Sequence, residues 1–150
     1  MPDTPPATRL HRSTGADLDA ATLYALLRLR SEVFVVEQAC PYPDLDGRDL
    51  EPATVHLWLT RDGAPVGCLR LLTDGGERRI GRVCTAASAR GTGVARALVR
   101  AAVEEIGDAP SVLNAQAYLA GFYATFGYVP DGEEFLDDGI PHVPMRRPAG

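Results

Sequence analysis

The sequence predicts an α/β (α+β mixed) domain: a central mixed, largely antiparallel twisted sheet flanked by helices. Three observations predict it. Strand-like runs follow one another with hairpin turns between them, one strand enters the glycine loop Arg90-Gly91-Thr92-Gly93 ahead of a strong helix, and the chain closes on a second hairpin pattern.

The proline-rich start, 1–7, reads as a flexible N-terminal extension. Thr8–Arg12 forms a short first strand, and Gly15-Ala16-Asp17 forms a turn with Asp17 as N-cap of a helix. In that helix Leu23, Leu26, Leu27, Val33 and Phe34 recur at i, i+3, i+4 spacing and mark one buried face. Cys40–Pro52 combines prolines, a glycine and the acids Asp44, Asp46, Asp49 and Glu51, so it is a loop.

Val55–Thr60 and Pro65–Leu72 form a hairpin through Asp62-Gly63, and Asp74-Gly75-Gly76 turns the chain into a third strand, Arg79–Thr85. Helix Val94–Ile106 faces the sheet with Val94, Leu98, Ala101, Ala102 and Ile106. Val112–Ala117 is a further strand, and Leu119–Phe126 a short helix stopped at Gly127. Tyr128–Phe135 and Ile140–Arg146 close the sheet as a hairpin through Asp137-Asp138-Gly139, whose exposed edge can pair two subunits as a homodimer. With no internal repeat and no long linker, the 150 residues form a single domain.

Composition removes several functions. The net charge of −5, with arginines scattered along the chain, argues against nucleic-acid binding. All fifteen basic residues are arginine, which excludes a Schiff-base lysine and the GxxxxGK[ST] phosphate loop of ATP sites. Cys40, Cys68 and Cys84 have no C-x-x-C spacing and read as reduced thiols. His11, His56 and His142 are dispersed, so no local metal site is expected. The start lacks a secretory apolar core and no run is long enough to span a membrane. The expectation is a cytoplasmic protein without membrane or nucleic-acid partners.

Two glycines before a helix make an anion cradle, because glycine adopts φ > 0 and the first-turn N–H groups and dipole point at a phosphate. Without a ligand the same residues are only a tight turn. A dinucleotide site needs G-x-G-x-x-G within a βαβ unit, whereas Arg96 stands at the third glycine position and hairpins precede the loop. A nucleotide-dependent oxidoreductase is thus the weaker catalytic alternative.

Arg90-x-x-Gly93-x-Ala95 after a strand resembles the pyrophosphate motif of the GNAT N-acetyltransferases. Six ordered blocks are similar to the ElaA-like branch: Val33 to Gln38, Pro41 to Asp46, Gly81-Arg82-Val83, Ala115-Gln116-Ala117, Phe122 to Tyr128, and Asp138 to His142. The resemblance covers nearly the whole chain.

It implies acetyl-CoA as donor, CoA as product, and a primary amine of a small molecule or peptide as acceptor, attacking directly in a ternary complex. The pyrophosphate would sit on the N–H groups of Gly91, Thr92, Gly93, Val94 and Ala95, with Arg90 or Arg96 near its oxygens. The strand edge at Val83, Cys84 and Thr85 would pair with pantetheine, in a V-shaped splay between the strands at 79–85 and 112–117. A backbone N–H near Val83 or Cys84 would polarise the thioester carbonyl. Phe122 lies beside the site, and Gln116 stands where many members place an asparagine that contacts pantetheine.

By the same resemblance Tyr123 is the general acid toward the departing thiolate. A phenol near 10 and a thiol near 8.5 lie about 1.5 units apart, roughly 2 kcal/mol for full transfer. The amine needs a base, since at a pKa near 10.4 its neutral form costs about 4.6 kcal/mol at pH 7. Glu37 continues the helix stripe, points inward if the helix extends that far, and is the first candidate. Arg30, on that stripe, either orients a substrate carboxylate or pairs with an acid. His142 is an alternative base, and His56 belongs to the sheet. The acids at 44, 46, 49 and 51 either steer a cationic amine or are a solvated loop. An acetyl-cysteine on Cys84 requires an activating partner that the sequence does not fix. The non-enzymatic alternative is an acyl-CoA-binding or sensing module that keeps the cradle without turnover.

Overall fold

The computed structural model of the chain describes residues 8–150; the extension expected at 1–7 lies outside the described residues. Strands β1 (Thr8–Thr14), β2 (Val55–Arg61), β3 (Ala64–Asp74) and β4 (Glu77–Thr85) are joined antiparallel in sequence order. They are followed by β5 (Ser111–Gln116), β6 (Val129–Pro130), β7 (Phe135–Asp137) and β8 (Ile140–Arg147). The sheet runs β1-β2-β3-β4-β5-β8-β6, with β7 also on β8. Among the described residues only β4 and β5 pair in parallel.

Helices cover both faces because the strands alternate apolar residues to both sides. On one face Leu69, Leu71 and Ile80 pack with Leu98, Val99 and Ala102 of α2 (Val94–Ile106). On the other, Trp58, Cys68 and Cys84 pack with Leu26, Leu29 and Val33 from α1 (Ala20–Arg30) and its continuation. The approach of α2 to β3 depends on Gly67, where an added Cβ would lie 2.4 Å from Val94 Cγ1. That contact fixes where the N-terminus of α2 stands relative to β4.

The parallel pair provides the opening in the sheet. β4 and β5 are in register only at Arg78↔Ser111 and Arg79↔Val112, and beyond Arg79 the two strands part. From Ile80 to Thr85 the β5-facing edge of β4 therefore has no ladder partner among the described residues, while β5 is held on its other side by β8 through Gln116↔His142. This is the expected splay.

Four local expectations are corrected. The N-cap of α1 is Asp19, whose carboxylate accepts from the Thr22 N–H at 2.7 Å, while Asp17 stays in the preceding turn with Thr14. The first helix continues beyond Arg30 as a π-helical segment, Ser31–Glu37, whose wider turn shifts the side-chain phase. The strand expected at Tyr128–Phe135 is two short pieces, β6 and β7. The chain leaves the ladder between them at Gly132 (φ 152°), where a Cβ would meet Pro144 at 2.8 Å. The helix expected at Leu119–Phe126 shortens to α3 (Ala120–Ala124) after a 3₁₀ turn, and Gly127 ends it at φ 93°.

Candidate active site

Two cavities flank the splay and share part of their walls. One, of about 610 Å³, lies on the glycine-loop side and is lined by Glu37, Thr85, Arg90, Ala95, Tyr118 and Phe122. The other, of about 240 Å³, lies under the 40–52 loop and is lined by Arg79, Gly81, Arg82, Asn114, Asp138 and His142. Phe34, Val83, Gln116 and Tyr123 border both.

The glycine loop fits a pyrophosphate. Gly91 and Gly93 sit at φ 76° and 85°, and a Cβ added to either would meet nothing within 4 Å, so the concave side of the loop is open. Helix α2 has no side-chain N-cap, and its first backbone bond is from Ala97 N–H to Gly93 O at 3.0 Å. The preceding N–H groups, from Gly91 through Thr92 and Val94 to Ala95 and Arg96, lie at the positive end of the helix. Thr92 braces the loop by donating Oγ1–H to Ala89 O at 2.5 Å.

The two arginines beside the cradle differ. Arg96 lies over the rings of Phe122 and Phe126, 5.4 and 5.5 Å from their centroids, so cation–π contacts hold it on the helix flank. Arg90 instead forms a bidentate ion pair with Glu37, with Nη2 to Oε2 at 2.6 Å, and also donates to Thr85 O at 3.2 Å. That hydrogen bond lowers the Glu37 pKa.

Tyr123 is 6% exposed and lies in both cavity walls. Phe122 and Tyr128 pack edge-on to its ring, with centroids 5.1 and 6.5 Å away. Burial, with the neighbouring phenols Tyr118 and Tyr128, pushes its pKa up to about 12. Cys84 borders the larger cavity, but its side chain packs with Cys68 and Trp58 against the first helix. Its Sγ is 3.5 Å from Cys68 Sγ across the β3–β4 pair, and that contact, then burial, raises its pKa well above the ordinary value.

The stripe extrapolated through Arg30 and Glu37 does not hold as an inward-facing pair. The π-helical phase shift leaves Glu37 exposed at the mouth of the larger cavity, not aimed into the splay. Arg30 is 2% exposed and committed to acids: Nε donates to Asp44 Oδ2 at 3.0 Å and Nη1 to Asp49 Oδ1 at 2.6 Å. It has no face left for a substrate carboxylate.

The acids of the 40–52 loop are likewise paired with arginines rather than free to steer a substrate, and Asp44 and Asp49 are buried. Asp46 and Asp49 pair with Arg70, Asp44 with Arg82, and Glu51 with Arg48. The Arg70 hydrogen bond holds Asp46 well below the carboxylate range, and for Asp49 the Arg30 bond and charges overcome the opposing effect of burial. His56 is in β2, as expected, with Nε2 bonded to Asp49 O at 2.8 Å.

His142 lies in the smaller cavity. Its Nδ1 is 2.7 Å from the carbonyl of Ile140, which can only accept, so Nδ1 carries a proton and Nε2 of the neutral ring keeps its lone pair. Phe135 stacks on the ring at 5.8 Å. Sequence reasoning missed Arg79, Gly81, Asn114 and the Asp137-Asp138 turn, which all line this cavity. Alternation along β4 was the available signal, but it is interrupted by a bulge at Arg82 (φ 52°).

Comparison with known proteins agrees with this architecture. The family model for an acetyltransferase (GNAT) domain matches residues 23–148. A UPF0039 protein of Mycobacterium tuberculosis is 59% identical over 144 residues, covering 93% of this chain and 92% of that one. Protein ElaA of Escherichia coli is 40% identical over 145 residues, covering 92% and 93%. A crystal structure of an acyl-CoA N-acyltransferase from Pseudomonas aeruginosa superposes with a TM-score of 0.90 at 43% identity, covering 94% of this chain and 99% of that one.

Proposed function

Because this chain belongs to the GNAT acetyltransferase family, with ElaA among its relatives, and is an acyltransferase using acyl-CoA, we propose that it moves an acetyl group from acetyl-CoA to a primary amine by direct attack in a ternary complex. The observation that carries this reading is the position of Tyr123 in the wall shared by the two cavities, beside the unpaired edge of β4. One cavity suits the coenzyme and the other the acceptor.

The coenzyme supplies an activated thioester. The N–H groups at the start of α2 donate to its phosphates, and the free edge of β4 from Val83 to Thr85 offers donors and acceptors to its amides. A backbone N–H at Val83 or Cys84 donates to the carbonyl oxygen as negative charge builds there. The Tyr123 hydroxyl donates toward the departing sulfur. At a pKa of about 12, full transfer to a thiolate of pKa near 8.5 would cost roughly 5 kcal/mol, so Tyr123 acts chiefly as a hydrogen-bond donor until the sulfur carries most of the charge.

On the acceptor side, His142 Nε2 takes the ammonium proton, directly or through water, and replaces Glu37 as the leading base. The Glu37 carboxylate is already paired, and its lowered pKa weakens it as a base. Cys84, buried and with a raised pKa, is not an acyl carrier.

Free-CoA release from acetyl-CoA across a panel of primary amines, with acetyl-CoA binding measured in parallel, tests the proposal. Turnover of at least one amine is expected. Failure to bind acetyl-CoA would end the reading, and binding without any turnover would leave a sensing module.

A further inference from the structure

The smaller cavity has a charge pattern that the transfer chemistry does not require. Three arginines line it: Arg70, Arg79 and Arg82. Two are neutralised, Arg70 by Asp46 and Asp49 and Arg82 by Asp44. Arg79 makes no ion pair or side-chain hydrogen bond among the described residues, although it is half-buried. Its position on the sheet explains why it faces this space. Arg79 pairs directly with Leu72, and Arg70 pairs with Gly81, so all four share the face covered by the 40–52 loop.

The opposite end of the cavity is acidic. Asp137 and Asp138, on the β7–β8 turn beside His142, make no ion pair among the described residues. Between the two ends lies Gly81, where an added Cβ would meet nothing within 4 Å, so the floor is clear. Arg70, 3% exposed, borders this space with its Nε lacking a hydrogen-bond partner among the described residues. The cavity therefore has an uncommitted cation deep in the splay, uncommitted carboxylates and an imidazole at its rim, and an open path between.

We propose that the acceptor is a small zwitterion, a primary amine whose other end carries a carboxylate or phosphate that is bound by Arg79. This rests on the acetyltransferase reading and names the substrate class within it. An anion at Arg79 gains charge-assisted, bidentate hydrogen bonds from a guanidinium that makes no direct ion pair among the described residues; the described carboxylate whose pKa its charge lowers, Asp74, is already paired with Arg48. The amine end is drawn to Asp137 and Asp138 and reaches His142 and the slot at Val83. Arg79 and Val83 are four residues apart, at most about 13 Å along a strand that the bulge at Arg82 shortens, and the arginine side chain spans part of that distance. A short linear ω-amino acid or ω-aminoalkyl phosphate fits that separation within a cavity of about 240 Å³.

The test compares kcat/KM, read as free CoA, for ω-amino carboxylic acids of increasing length, the matching ω-amino amides, and the matching ω-aminoalkyl phosphates. Wild type is expected to favour an anion-bearing acceptor over its amide by about tenfold or more, as loss of one charge-assisted contact implies. Arg79→Gln should collapse that ratio toward one, mainly through KM for the anionic acceptor, with the acetyl-CoA Kd unchanged. Arg79→Lys should restore part of it, and thermal melts confirm that both variants fold.

Gly81→Leu, which fills the floor, should block acceptors while acetyl-CoA still binds. The carboxylate and phosphate arms identify which anion is used. Equal turnover of acid and amide by wild type, an unchanged ratio in Arg79→Gln, or no turnover of any anion-bearing amine while acetyl-CoA binds would overturn the inference. Absence of acetyl-CoA binding would instead overturn the acetyltransferase reading beneath it.

Discussion

Glu37 and Arg90, 53 residues apart in sequence, are joined by a bidentate ion pair that links the π-helical end of the first helix to the glycine loop. Each is close to half-exposed, so solvent screening leaves the pair little weight in stability. Its larger consequence is competition, because a phosphate approaching Arg90 must displace or share the guanidinium with Glu37. Glu37→Gln should therefore tighten acetyl-CoA binding by about two- to fivefold with little change in kcat. Titration of acetyl-CoA against both proteins checks this, and a fall in kcat of about a hundredfold would return Glu37 to the role of base.

Arg30 and Asp49 form the centre of a buried ionic cluster, and removing one partner leaves the other charge uncompensated. Asp49→Asn is expected to cost about 3–5 kcal/mol, read from denaturant unfolding. The folded-state pKa values of Asp46 and Asp49 are depressed. Their contribution is thus fully present above the ordinary carboxylate range, near 3.9, and is lost as pH falls through the lower folded values. Wild type should lose stability below about pH 4, and the Asp49→Asn variant should lose less of its remaining stability there.

How much of this was readable in the sequence followed the range of the signal. The helix Val94–Ile106 has the expected bounds, because Gly93 and Gly107 bracket it and its apolar face repeats locally. The Asp62-Gly63 hairpin follows from turn chemistry in the same way, with φ of 53° and 83° at the two residues. The direction of Glu37 was not legible, because a π-helical segment leaves no mark in the spacing of apolar residues. Nor was the pairing of Asp44, Asp46 and Asp49 with Arg30, Arg70 and Arg82, since an acidic loop reads identically whether it is solvated or folded onto arginines from distant elements. Tyr123 was found through resemblance, whereas Arg79 needed the register of β3 on β4.

Cys84 sits near the acyl slot but is not expected to take part in transfer. Its thiol is buried against Cys68 and its pKa is raised, so thiolate is scarce at neutral pH. Cys84→Ala should retain turnover within about threefold, with a stability loss of about 1 kcal/mol from the small cavity it leaves. Mass spectrometry after incubation with acetyl-CoA should find no acetyl adduct on this residue, and a stoichiometric adduct would reverse the conclusion.

His142 holds its Nδ1 proton on Ile140 O and turns Nε2 to accept. His142→Gln is expected to lower kcat/KM by about 10²–10⁴ at pH 7. The deficit should shrink as pH rises toward the amine pKa near 10.4, because an acceptor that is already neutral needs no base. A deficit that stays constant across the pH profile would mark His142 as a positioning residue only.

Tyr123→Phe tests the central claim most directly, because it removes a single hydroxyl from the wall shared by the two cavities. No protein group hydrogen-bonds that hydroxyl among the described residues, so the melting temperature and the acetyl-CoA Kd should stay at wild-type values. The rate of CoA release with a competent amine should fall by about 10²–10⁴. A Tyr123→Phe protein that binds acetyl-CoA normally and releases CoA at the wild-type rate would contradict the account.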